Sequence, residues 1–230
     1  MSRDPSKMGG APASLPPYAE LHCVSNFTFL RGASHPQELV ERASILGYSA
    51  IAITDECSVA GVVRAYMAAR LLKLKLLIGA EFRLECGLKL VVIAIDRLGY
   101  GRLCRLISRG RRAAVKGTYS LTRQDVIASG LEQCFILWIP GPQPVKEEAH
   151  WLRDCFGTKV RIAVELFRDG TDKQRLLTLQ AFGRELEIPL VASGDVHMHT
   201  RERRRLARSF PSRHAARGWP QYHDRYCGDT

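Results

Sequence analysis

No two of the seven cysteines, at positions 23, 57, 86, 104, 134, 155 and 227, are spaced as Cys-x-x-Cys, and their number is odd. That argues against both a disulfide framework and a zinc ribbon. They read instead as small buried apolar groups in a reducing compartment. No stretch approaches the roughly 18 consecutive apolar residues that mark a membrane span. The first 17 residues, MSRDPSKMGGAPASLPP, lack the apolar core of a signal peptide. Residues 1–17 are therefore expected to form a flexible leader and the protein to be cytoplasmic, with no membrane partner. Internal repeats and low-complexity tracts are also missing. Acidic residues are absent from one long stretch: between Arg97 and Lys116 there are seven Lys or Arg and no acid.

What is present is a chain of 230 residues, 46% hydrophobic, with a net charge of +11. Such a chain can bury a sizeable core and is not compositionally disordered. The basic excess is concentrated at Arg97–Lys116 and again at Arg201–Arg208, which holds five Arg and one Glu. Two patches of this kind suggest an acidic partner, with nucleic acid the usual one. The plainer alternative is charge that only keeps the domain soluble.

Strand and helix patterns alternate along the chain. Strands are expected at about 18–22, SAIAIT (49–54), KLLIG (75–79), KLVVIAI (89–95), CFILWI (134–139), VRIAVEL (160–166) and IPLVAS (188–193). Helices are expected at about 36–46, 59–72, 100–109, 145–155 and 171–186. Pro36 suits a first helical turn and Gly47 a C-terminal stop. Seven strands, most followed by a helix, predict an α/β fold with a largely parallel sheet, either a barrel or an open doubly wound sheet. From Ala207 to Thr230 neither period is visible, which reads as a disordered basic tail or as a place where the fold breaks off through truncation or a shifted frame.

In parallel α/β folds, functional groups collect at the carboxyl ends of strands. His22, Asp55 with Glu56, Glu81, Glu165, and Asp195 with His197 all fall at or next to such ends. Oxygen and imidazole donors converging on one rim suit Zn²⁺, Mn²⁺ or Fe and metal-assisted phosphoester hydrolysis. Each also has an ordinary role. His22 could be hydrogen-bonded in a loop, Asp55 could cap the next helix, and Glu81 and Glu165 could be buried partners of arginines. The Asp195, His197, His199 trio in GDVHMH is the most metal-like spacing in the chain.

The run YAELHCVSNFTFLRGASHPQELVERA, followed by GYSAIAITDECSVAGVVRAY, LLIGAEF, GYGRLCRLIS and PLVASGDVHMH, resembles the PHP (polymerase and histidinol phosphatase) domain of bacterial C-family DNA polymerases, most of all the error-prone, damage-inducible branch. The resemblance covers about residues 18–206 and implies a distorted seven-stranded βα barrel with a metal-binding rim. It assigns the metal positions His22, Asp55, Glu81, Asp195 and His197. Val24, Glu56 and Lys89 stand where the family carries histidines, and Asn26 where aspartate is usual. The multinuclear site is thus expected to be incomplete, leaving at most one divalent ion, Zn or Mn.

The same resemblance places the polymerase carboxylates and their Mg²⁺ in a palm beyond this sequence, so the chain is expected to be a fragment or frame-disrupted product. It further implies DNA, the polymerase body, other mutagenesis proteins and the sliding clamp as partners of the full-length family. The leading expectation is a non-catalytic PHP scaffold for damage-tolerant synthesis. A stand-alone metallophosphoesterase or 3′–5′ exonuclease is the alternative. In the leading reading the helix carrying Arg102, Arg105, Arg109, Arg111 and Arg112 could face DNA or the polymerase thumb and palm, or be a solvated face. A third reading is a basic, non-catalytic nucleic-acid-binding domain.

Overall fold

The computed structural model describes residues 16–208. The expected leader 1–17 and tail 207–230 lie outside the described residues except for two residues of each. Seven strands follow one another in a single sheet in chain order: β1 (Ala19–Glu20), β2 (Ala50–Ile53), β3 (Lys75–Arg83), β4 (Lys89–Ala94), β5 (Cys134–Trp138), β6 (Val160–Val164) and β7 (Leu190–Ala192). Helices α1 (Pro36–Ile45), α2 (Val62–Leu72), α3 (Arg97–Arg112), α4 (Arg123–Ala128), α5 (Lys146–Phe156), α6 (Asp172–Glu185) and α7 (Arg204–Arg208) connect or follow them.

The sheet curls into a nearly closed barrel. Beyond the named strands, the Val24 amide donates to the Val196 carbonyl (2.9 Å) and the Val196 amide to the His22 carbonyl (2.9 Å), joining the first and last strands. The Glu20 carboxylate staples the same seam, accepting from the His22 and Gly194 amides at 2.9 Å each and from the Tyr18 hydroxyl. Val24 is therefore a seam residue, fully buried.

Side-chain alternation divides the interior from the outer layer, as a period of two requires. Ala52, Val91, Ile93, Leu137, Ile139 and Ala163 point inward and pack with Leu21, Leu77 and Val191. Their neighbours Leu90, Val92, Ile136, Trp138 and Ile162 face the helices on one flank, while Ile51 and Ile53 face α1 and α2 on the other.

The sheet departs from the expected parallel pattern at β4, which runs antiparallel to both β3 and β5. Only a tight turn joins β3 to β4, with the Leu84 amide donating to the Leu88 carbonyl and Gly87 at φ 89°. A parallel return needs a crossover of a dozen or more residues, so this short link dictates reversal. The reversal brings the start of β4, and with it Lys89, to the rim where the other strands end. β3 also runs further than expected, to Arg83, so Glu81 lies within the strand rather than beyond it. The short helix α4 was not expected from periodicity. Its start is marked by Thr122, whose side chain accepts from the Asp125 amide while the Asp125 carboxylate reaches back to the Thr122 amide, a reciprocal cap.

α3 is seated by a glycine. A Cβ at buried Gly99 would overlap the Gln133 carbonyl oxygen, which is already held by the Ile95 amide. Two residues on, Gly101 is exposed and nothing crowds it. Gly99→Ala should cost about 1–3 kcal/mol by overpacking. Gly101→Ala should be neutral or stabilise by up to about 1 kcal/mol through helix propensity. Urea denaturation of the two variants checks the contrast.

Candidate metal centre and its ionic rim

The loop after β1 is positioned by Asp55. Its carboxylate, buried at the end of β2, accepts from the Ser25 amide (2.7 Å), from the Ser25 hydroxyl (2.8 and 3.0 Å) and from the Thr28 hydroxyl (2.7 Å). The loop then turns tightly, with the Gly32 amide on the Thr28 carbonyl and Leu30 in the left-handed region at φ 68°. Gly32 passes directly beneath the Ser25 carbonyl, where no Cβ would fit. This path drives the Arg31 side chain back into the barrel mouth. Its guanidinium grips Glu81 in a two-pronged pair, at 2.6 and 2.9 Å, and meets Glu56 at 3.0 Å. Tyr119 donates to the other Glu56 oxygen at 2.9 Å.

His22 lies at the centre and is fully buried. Its Nδ1 is 2.7 Å from Glu165 and its Nε2 is 2.7 Å from Glu81, with Asp195 at 3.5 Å. Lys89, pointing inward at the start of β4, places its ammonium 3.2 Å from Glu81 and 3.8 Å from Asp195. His197 approaches Asp195 at 3.1 Å. Asp195 itself adopts φ 47°, a left-handed conformation uncommon outside glycine. A cavity of about 280 Å³ opens beside Lys89 and Glu165, bordered by Arg83, Phe167 and Arg175.

The electrostatics follow from this packing. Burial alone would discharge His22, but Asp195 and Glu165 outweigh it and raise its pKa to about 10. The ring is then an imidazolium at neutral pH, donating from both nitrogens. Burial likewise pushes Glu81 up, yet Arg31 and Lys89 hold it well below the usual carboxylate range. Lys89, His197 and His22 do the same for Asp195. Asp55 behaves differently: burial raises its pKa, and the Ser25 and Thr28 hydrogen bonds offset this only in part.

Of the five positions expected to meet a metal, His22, Glu81, Asp195 and His197 come together, while Asp55 turns to Ser25 and Thr28. Glu165, noted as a strand end but outside the expected ligand set, joins the centre through His22. Arg31, Ser25, Thr28 and Tyr119 carried no periodic signal; Gly32 after Arg31 was the only hint of a constrained loop. Of the five arginines considered for nucleic acid, Arg109 pairs with Asp125. Arg111 donates to the Cys57 and Glu56 carbonyls and covers the Tyr119 ring at 5.5 Å. Arg102 is half-buried, and Arg105 and Arg112 are exposed.

His22, Glu165 and Asp195 each offer one ligand atom, all within 4.8 Å of one another, a grouping that could hold one metal ion. Its surroundings do not fit one. Both His22 nitrogens are already engaged by carboxylates, and the Arg31 and Lys89 cations press on the same acids. The site's chemistry is that of an ion-pair cluster of three cations (His22, Arg31 and Lys89) against Glu81, Glu165 and Asp195, with Glu56 at its edge.

The fold and site together define a nearly closed βα barrel with acids and imidazoles gathered at its mouth. Comparison with known families makes the assignment specific: the family described as PHP domain matches residues 20–137, and the chain belongs to it. Over 189 residues the chain is 56% identical to an error-prone DNA polymerase of Methylococcus capsulatus, covering 82% of this chain and 18% of that polymerase. It is 52% identical over 195 residues to the error-prone DNA polymerase of Dechloromonas aromatica, covering 83% and 19% respectively. The chain thus spans less than a fifth of the length of these relatives. Among solved structures it is similar in fold to a protein of Bifidobacterium adolescentis provisionally assigned as a metal-dependent phosphoesterase (TM-score 0.59, 17% identity, 79% of this chain and 88% of that one). An amidohydrolase from Chromobacterium violaceum is similar too (TM-score 0.56, 14% identity, 78% and 87%).

The His22 shift has a measurable sign. Its pKa rises on folding from the ordinary 6.5 to about 10. The stabilisation it contributes is therefore complete below about pH 6.5 and lost as pH climbs to about 10. The melting temperature should fall across that window, and His22→Gln should flatten the fall while lowering stability in mildly acidic buffer. A melting temperature level across the same window would contradict a cationic His22.

Proposed function

We propose that residues 18–206 form the PHP module of an error-prone DNA polymerase and act there as a non-catalytic scaffold. The observation that carries this reading is the 56% identity over 82% of the chain to a polymerase of that description. The state of the rim supports it, because its carboxylates are neutralised by protein cations instead of lying open to substrate and metal. In this setting the chain works in the cytoplasm in synthesis across damaged DNA. The polymerase part supplies Mg²⁺ chemistry and most of the contact with DNA, and brings the sliding clamp and other mutagenesis proteins within reach. Arg105 and Arg112 on α3 are the arginines best placed to add a weak, salt-sensitive contact to the nucleic acid.

A scaffold needs a face to pack with. On α2, Val63, Tyr66, Met67 and Leu71 follow helical spacing and are all exposed, from 49% to 83%. An apolar stripe on one side of an exterior helix is the kind of surface that another domain covers.

The test pairs this chain with the Methylococcus capsulatus polymerase lacking its own matching segment. The two should co-elute and extend a primed template together, while this chain alone gives no extension. Leu71→Arg with Met67→Arg should weaken co-elution at least about tenfold. Independent extension by the chain, or no association at micromolar concentration, would sink the reading. Stoichiometric Zn²⁺ or Mn²⁺ together with hydrolysis of a model phosphodiester would favour the phosphoesterase alternative.

A further inference from the structure

We propose that Arg31 and Lys89 are the resident cations of the barrel mouth: they neutralise the acids that could otherwise bind metal, and so keep the His22, Glu165, Asp195 grouping metal-free. The inference deepens the scaffold reading and gives the rim a defined state.

The geometry is specific. Lys89 Nζ reaches Glu81 at 3.2 Å, on the oxygen that one Arg31 nitrogen also holds, and Asp195 at 3.8 Å. Arg31 comes within 3.8 Å of the other Asp195 oxygen. Asp195 is therefore approached by a protein cation on each of its two oxygens. A divalent ion bridging Asp195 to His22 and Glu165 would stand next to both cations in a buried setting, where like charges repel strongly. The cavity beside the group is lined by Lys89 and Glu165, so a cation stands between it and the buried His22 and Asp195.

Both cations are built in. Lys89 is 7% exposed; alternation with Val91 and Ile93 turns it inward, and the reversal of β4 places it at the mouth. Arg31 is delivered by the loop that Asp55 fastens. The neighbouring residues fit this arrangement. Glu56 gives Arg31 a further carboxylate at 3.0 Å, and Tyr119 holds the other oxygen of that carboxylate. An imidazole there would offer Arg31 no anion. Lys89 and Glu56 are thus two halves of one charge arrangement, in which a lysine and an arginine neutralise the acids and a glutamate holds the arginine.

Metal analysis on the untagged 230-residue chain tests this, together with melting in EDTA, Zn²⁺ and Mn²⁺. Wild type and Lys89→Arg should carry no stoichiometric metal and melt alike in every buffer. Lys89→His removes the standing charge and adds a donor, so its Zn²⁺ affinity should rise about ten- to a hundredfold, read as a metal-dependent rise in melting temperature. Should Lys89→His prove poorly folded without metal, recovery of its melting transition on adding Zn²⁺ is the expected result, and no recovery counts against the proposal. Stoichiometric metal in wild type with a lower melting temperature in EDTA overturns it, as does Zn²⁺ affinity equal in wild type and Lys89→His. Failure of association with a polymerase part would refute the scaffold reading and leave this result intact.

Discussion

Enclosing the His22 ring between Glu165 and Glu81 commits the barrel mouth to a set of charges that have to balance. An imidazolium and several carboxylates cannot be buried singly, because each loses several kcal/mol of hydration that only close opposite charges restore. The Arg31 loop, the reversed β4 and the Tyr119 contact to Glu56 can all be understood as ways of meeting that condition. Asp55 contributes at one remove. It binds no member of the cluster directly but holds the loop that delivers Arg31.

Much of the architecture was legible because it rests on strong local signals. The apolar runs of β2, β4, β5 and β6 stand close to their expected places, while α3 extends three residues beyond the expected 100–109 at each end. What sequence periodicity missed was direction and reach. A strand looks the same read either way, so the reversal of β4 could be found only in the nine-residue gap after Gly79, too short for a helical crossover. Glu81, taken to follow a strand, belongs to it because β3 continues into that hairpin. In the candidate site, His22, Asp195 and His197 were visible as polar residues at strand ends. Arg31 was not, because a long side chain on an irregular loop has no period, and only the path of the backbone says where it lands.

The family relationship and the local chemistry point to different things and are compatible. Membership in the PHP family goes with the barrel, and the side chains themselves show the acids gathered at one end. The cations in contact with those acids are Arg31, Lys89 and the His22 ring. Removing one partner of a buried pair of this kind costs roughly 3–5 kcal/mol. Such a cluster resists piecemeal change even without catalysis to preserve it.

The seam that closes the barrel also sets a timetable. Glu20 meets Gly194, and His22 meets Glu165, across 174 and 143 positions of chain. During synthesis the first strand leaves the ribosome long before its partners exist. Contacts this distant in sequence form late and slowly. Until the segment through His197 has emerged, His22 and Lys89 lack Asp195 and the first strand lacks its seam partner. The ion cluster thus draws on both ends of the barrel sequence and cannot close without the seventh strand's neighbour Asp195.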